Sequence, residues 1–151
     1  MIPFSQVDEI TVQYNPSIRH YDRSVIKSSN DSFLNIRNFF CNDTMEVQEQ
    51  FLVMYLNRAN KVLGVYKMST GGITSTIADV RLILSVALKT LATSIVLAHN
   101  HPSGNIKPSV ADREITARIK QAAALMDISV FDHLILTKGN TYFSFMDEGL
   151  M

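Results

Sequence analysis

Two histidines two residues apart, with an aspartate eleven residues further on, are the side chains here most capable of chemistry. They are His99, His101 and Asp112, in the stretch 94–112, SIVLAHNHPSGNIKPSVAD. Side chains alternate along a strand, so residues two apart face the same way. The apolar run Ile95-Val96-Leu97-Ala98 predicts such a strand, and His99 and His101 leave its end on one side. Pro102-Ser103-Gly104 then turns the chain. A helix opening near Ser109 would carry Asp112 in its first turn. Two imidazoles and one carboxylate make the three-ligand set of a catalytic zinc site, with a fourth position left for water. Zinc in such a site lowers the pKa of its water toward ~7, and a separate carboxylate must take the proton.

Two readings stand side by side on spacing alone. A His-x-His at a strand end is more often incidental than not. Ser109-Val110-Ala111-Asp112 reads equally well as a helix cap, with Ser109 as N-cap and Asp112 as the acidic third residue. The two roles are compatible, because a carboxylate has two oxygens. The same donor set also suits non-haem iron. Other tempting residues rank lower. His133 reads as a packed or surface strand histidine and His20 as a loop residue. Cys41, among phenylalanines, reads as core rather than nucleophile. Arg113, Arg118 and Lys120 read as a solvated helix face.

The elements that must position the cluster follow from hydrophobic periodicity. Residues 8–14 alternate Ile10, Val12 and Tyr14 with polar residues, as a half-buried strand would. Residues 15–30 read as a loop. Phe33, Ile36, Phe39 and Phe40 predict a helix over 32–41, with a short helical turn over 43–49 carrying Glu46 and Glu49. FLVMYL at 51–56 reads as a buried strand and 62–68 as its hairpin partner, with a short strand near 73–75. Val80, Ile83, Leu84, Ala87, Leu88 and Leu91 form the stripe of an amphipathic helix, with Thr76 and Asp79 resembling a capping box. With strand 94–100 this suggests a right-handed crossover from 62–68 into a parallel pair. A second amphipathic helix spans about 110–126, with Ile115, Ile119, Ala122, Ala123 and Met126 inward. Strands 128–136 and 141–145 follow. The expected architecture is α/β, a mixed sheet flanked by helices, with the site at the carboxyl end of a strand.

The 151 residues suit one domain with a substantial core. Fourteen basic residues balance fourteen acidic ones, so no broad field should draw in DNA or an anionic membrane. The single cysteine, Cys41, excludes an internal disulfide and a cysteine-based zinc site, which fits a reducing cytoplasm. No signal peptide or bilayer-spanning apolar segment is read. A homo-oligomer stays open, because the apolar strands need covering.

The residues His99-Asn100-His101-Pro102, Ser109 and Asp112 resemble the JAMM motif of the JAB1/MPN metalloprotease family. AHNHPSGN, the Ser109-to-Asp112 helix start, Asp132-His133-Leu134-Ile135 and FSF-x-x-x-GL near the end are similar to its RadC-like branch. The likeness covers about residues 45–151, leaving 1–44 as an amino-terminal extension packed on the same domain. It implies the JAB1/MPN, cytidine-deaminase-like sandwich and hydrolysis of peptide or isopeptide bonds in a peptide or protein substrate. It also implies Zn2+ held by His99, His101 and Asp112, with Ser109 steadying an oxyanion. A glutamate ahead of an early strand would serve as general acid/base. Glu49 is the best match and Glu46 the second; without the likeness both read as a solvated face. Full-length RadC-like proteins usually carry a helix-hairpin-helix segment, whose glycine-rich pattern is absent from 1–44, so the chain is expected to resemble the shortened form. A role in DNA repair therefore draws no support from these residues; an accessory or binding module of DNA metabolism, with zinc structural or absent, is the second reading, against which the neutral charge argues mildly. The letters HNH at 99–101 are not an HNH nuclease signature.

Overall fold

In the computed structural model, which describes residues 8–71 and 78–151, the chain folds as an α/β sandwich around a mixed five-stranded sheet. The strands are β1 (Gln50–Leu56), β2 (Val62–Thr70), β3 (Ser94–Asn100), β4 (Ser129–Leu136) and β5 (Tyr142–Ser144). The helices are α1 (Ser29–Ile36), α2 (Val80–Thr90) and α3 (Val110–Ala124). The sheet order is β2-β1-β3-β4-β5; only β3 and β4 run parallel as neighbours, joined through α3. The expected pairing of 62–68 with 94–100 is therefore corrected. β1 lies between them and pairs antiparallel with both.

Alternation divides the core in two. On β1, Leu52, Met54 and Leu56 join Ile26, Phe33, Ile36 and Phe40 on the α1 side. Phe51, Val53 and Tyr55 pack with Ile83, Ala87, Ile119 and Ala123 of α2 and α3 on the other side. β3 follows the same rule: Val96 and Ala98 face α1, while Ile95 and Leu97 face α2 and α3. A central strand covered on both faces can be a continuous apolar run, as residues 51–56 of β1 and 95–98 of β3 are.

Several expected elements differ. Residues 8–14 form no strand: Ile10 and Val12 are exposed, and the segment makes no ladder. Tyr14 is tied down, its hydroxyl donating to Leu63 O at 2.6 Å. The first helix starts earlier than the expected residue 32, because Ser28 caps it by accepting from Asp31 N. It ends sooner, in a 3-10 turn at Arg37–Phe39, which leaves Phe39 and Cys41 exposed. Cys41 is thus not a core residue. Residues 42–48 form hydrogen-bonded turns instead of a helix. Asp79 is itself the N-cap of α2, accepting from Arg81 N and Leu82 N. Thr76, like the strand expected at 73–75, lies outside the described residues. Leu88, Leu91 and Met126 are exposed, since the buried stripe of α2 is narrower than the apolar one and α3 stops at Ala124. No helix among the described residues is long and apolar enough to cross a membrane.

Leu91 closes α2 in the left-handed region, at φ 57°, with its side chain 82% exposed. That conformation costs a residue with a Cβ roughly 1–2 kcal/mol and suits glycine. Leu91→Gly should therefore stabilise the fold, by about 0.5–1 kcal/mol after the extra chain entropy of glycine is counted. A higher urea midpoint at unchanged m-value would show it.

Candidate metal centre

β3 ends at Asn100, so His99 and His101 emerge where the strand passes into the 101–109 loop. Both rings lie on the α2/α3 side. α3 then returns Asp112 to them. Ser109 caps this helix: its Oγ accepts from Asp112 N at 3.0 Å, and Asp112 Oδ2 accepts from Ser109 N at 2.7 Å. The capping box holds the carboxylate in place and leaves it available. Oδ1 lies 3.1 Å from His99 Nε2, and Oδ2 lies 3.2 Å from His101 Nε2. The two Nε2 atoms are 3.0 Å apart.

These gaps suit a cation. A tetrahedron of 2.0–2.1 Å metal bonds has edges of about 3.3 Å. The hydrogen-bond network also orients both rings. Asn105 O can only accept, so at 2.6 Å it takes the proton of His101 Nδ1. Asp112 O takes the Thr116 hydroxyl proton at 2.6 Å. Thr116 Oγ1 then accepts from His133 Nδ1 at 2.6 Å, and His133 Nε2 accepts from His99 Nδ1 at 2.8 Å. Both ligand-capable rings thus carry their proton on Nδ1 and direct Nε2 at the centre of the cluster, where a second proton or a cation completes it.

The electrostatics point the same way. Burial pushes the Asp112 carboxyl up, but hydrogen bonding to His101 and His99 outweighs it and holds the group well below the usual carboxylate range. Burial pulls the His101 imidazole down, while Asp112, Asn105 O and Glu49 more than offset it, leaving it raised. His99, His101 and Asp112 are the group of potential ligands that converges among the described residues, with donor atoms within 4.8 Å of one another.

The remaining expected residues lie as follows. Glu49 is half-buried just before β1. Phe51 pairs with His99 across the ladder, and Glu49, two residues earlier, falls on the same face. Burial pushes its carboxyl up, His99 and His101 draw it back, and Asp112 pushes it up again, so the group lies within electrostatic reach of all three. Glu46 is exposed and ion-paired to Lys138 at 2.7 Å. That pair borders a 250 Å³ cleft that runs beside His101 and the Pro102–Gly104 turn. His20 is exposed in a 3-10 turn, and Arg113, Arg118 and Lys120 are exposed on α3.

Sequence reasoning undervalued His133. It is fully buried, wedged against Phe145 at 4.8 Å and edge-on to Phe51 at 5.8 Å. Burial pushes its imidazole well below the ordinary value, so it serves as a neutral acceptor for His99. The available signal was parity: β4 runs parallel to β3, and His133 pairs with Leu97 one pleat behind His99. Asp132, turned to the opposite face, accepts from Ser144 Oγ, Met146 N and His133 N, tying the carboxyl-terminal turn to β4.

Fold and site together define a JAB/MPN sandwich with a His-His-Asp cluster fit for a metal. The RadC-like JAB domain model matches residues 26–150, and the chain belongs to that family. Similar proteins include UPF0758 proteins of Flavobacterium johnsoniae, 48% identical over 68% of this chain and 44% of the relative, and of Porphyromonas gingivalis, 46% identical over 69% and 46%. The UPF0758 protein YeeS of Escherichia coli (strain K12) is 47% identical over 69% of this chain and 70% of its own length. The chain thus spans less than half the length of the first two relatives.

His133→Phe keeps the ring between its aromatic neighbours and deletes the acceptor for His99. Outer-shell losses of this kind typically cost about 10–100-fold in metal affinity. With Zn2+ as the probe ion, we expect the dissociation constant of the cluster raised by that factor, by competition with a chromogenic chelator, with the far-ultraviolet dichroism unchanged.

Proposed function

We propose that this protein is a zinc-dependent hydrolase of peptide or isopeptide bonds. One observation carries the reading: two Nε2 atoms and a carboxylate converge at metal-ligand spacing on the sheet face that Glu49 shares. Three nitrogen and oxygen donors with space for a fourth suit catalytic zinc. When bound by His99, His101 and Asp112, zinc would supply Lewis acidity, lowering the pKa of a water and polarising a carbonyl.

The chain's own residues supply the rest. Glu49 accepts the proton of the attacking water and returns it to the leaving amine. Burial raises its proton affinity above that of an ordinary carboxylate, the direction a proton carrier needs. Ser109 Oγ uses a lone pair for Asp112 N, so its O–H remains to donate to the oxyanion that develops on the carbonyl. The cleft beside His101 gives room for the peptide flanking the scissile bond. Glu46, engaged by Lys138, is the weaker candidate for the proton carrier. Balanced charge gives no ground for proposing DNA as the ligand.

The test uses zinc-loaded protein against a panel of fluorogenic peptides and lysine-isopeptide-linked peptides. Glu49→Gln should retain stoichiometric zinc while kcat falls by about 10²–10⁴. Asp112→Asn and His99→Ala should lose zinc as well as turnover. Hydrolysis undiminished in Glu49→Gln would reject Glu49 as the proton carrier. Zinc-loaded wild type inert on the whole panel would reject the hydrolase.

A further inference from the structure

Asn100 stands between the two histidines, and alternation turns its side chain to the opposite face of the sheet. It is fully buried, and both ends of its amide are engaged. Oδ1 accepts from Gln50 N at 2.7 Å. Nδ2 donates to Met45 O at 2.8 Å and to Gln48 O at 3.0 Å. Two of these partners, Gln48 and Gln50, are the immediate neighbours of Glu49.

The bonds fall where the sheet stops supplying its own. The β1–β3 ladder runs to Phe51↔His99, and one residue further on the Asn100 amide takes over, holding the Gln50 backbone. Upstream, residues 42–48 are only a series of turns. A carboxylate carried on such a segment needs fixed neighbours to hold a productive geometry. The Gln50 side chain adds a tether by accepting from Cys41 N and donating to Cys41 O and Thr44 Oγ1. Gly71 N donates to Glu49 O at 2.8 Å. The amide of Asn100 is the part of this network that belongs to the histidine strand itself.

The residue type follows from the partners. One N–H and two carbonyls require one acceptor and two donors. A serine or threonine hydroxyl has a single proton, and an aspartate would set negative oxygens against the Met45 and Gln48 carbonyls. An amide of this length meets all three.

We propose that Asn100 is a positioning residue: from the strand that carries His99 and His101, it sets the Glu49 carboxylate against the metal cluster. The inference rests on Glu49 as the proton carrier and deepens that reading. Its test needs no substrate. Protein labelled with ¹³C at glutamate carboxyls is titrated with Zn2+ and followed by NMR, the Glu49 resonance being identified by its loss in Glu49→Gln. In wild type that resonance should move on zinc binding, along with the ring resonances of His99 and His101. In Asn100→Ala the Glu49 response should shrink by more than half, while both histidine rings still respond and zinc remains stoichiometric. Asn100→Ser, whose hydroxyl can accept one bond and donate one, should be intermediate and stands in if the alanine variant does not fold. A wild-type Glu49 response in these variants would overturn the proposal. So would loss of the histidine responses with it, or a Glu49 resonance indifferent to zinc in wild type. Failure of wild type to hydrolyse the peptide panel would sink the hydrolase reading and leave this result standing.

Discussion

The period of two along β3 is the constraint on which the rest depends. Ile95, Leu97, His99 and His101 share one face; Val96, Ala98 and Asn100 share the other. The strand lies at the centre of the sheet and is buried on both faces. A slip of one residue would put histidines into the α1-side core and the Asn100 amide into the cluster. Apolar packing therefore fixes the orientation of the polar end. The register that buries Val96 and Ala98 also delivers two imidazoles to the start of α3.

Asp112 is the second economy. Its carboxylate closes the capping box of α3 and faces both histidines. A single placement serves helix initiation and the His-His-Asp cluster, so the angle at which α3 leaves its loop is also the angle at which the carboxylate meets the imidazoles. Thr116, one turn later, bonds Asp112 O and His133, carrying the order of the helix into β4 and back to His99. The cluster is consequently braced from a central strand, its parallel neighbour and the helix that connects them.

Much of this was legible in the sequence where apolar residues recur with a strong period. β1, β3, α2 and α3 lie close to their expected bounds, because burial on two faces or along one stripe writes itself into composition. The α/β sandwich and the meeting of His99, His101 and Asp112 follow from those elements. What was not legible depended on partners. Residues 8–14 alternate like a strand, yet no neighbouring strand takes up their ladder bonds. Phe39 and Leu91 extend apolar stripes past the helix ends, where they stand exposed. Strand neighbours are equally invisible to periodicity, so β1's insertion between β2 and β3 emerged only in three dimensions. His133 looked ordinary because its significance lies in touching His99, thirty-four residues earlier.

The buried Asp132 has an effect reaching beyond the turn it anchors. Its carboxylate accepts from the amide of Met146 and the hydroxyl of Ser144, while Phe145 between them stacks on His133. Fraying of the last few residues would strip the buried carboxyl of two of its three donors and uncover an imidazole that leans on His99. The carboxyl-terminal turn, β4 and the inner histidine are thereby joined in one chain of contacts that ends at the His-His-Asp cluster.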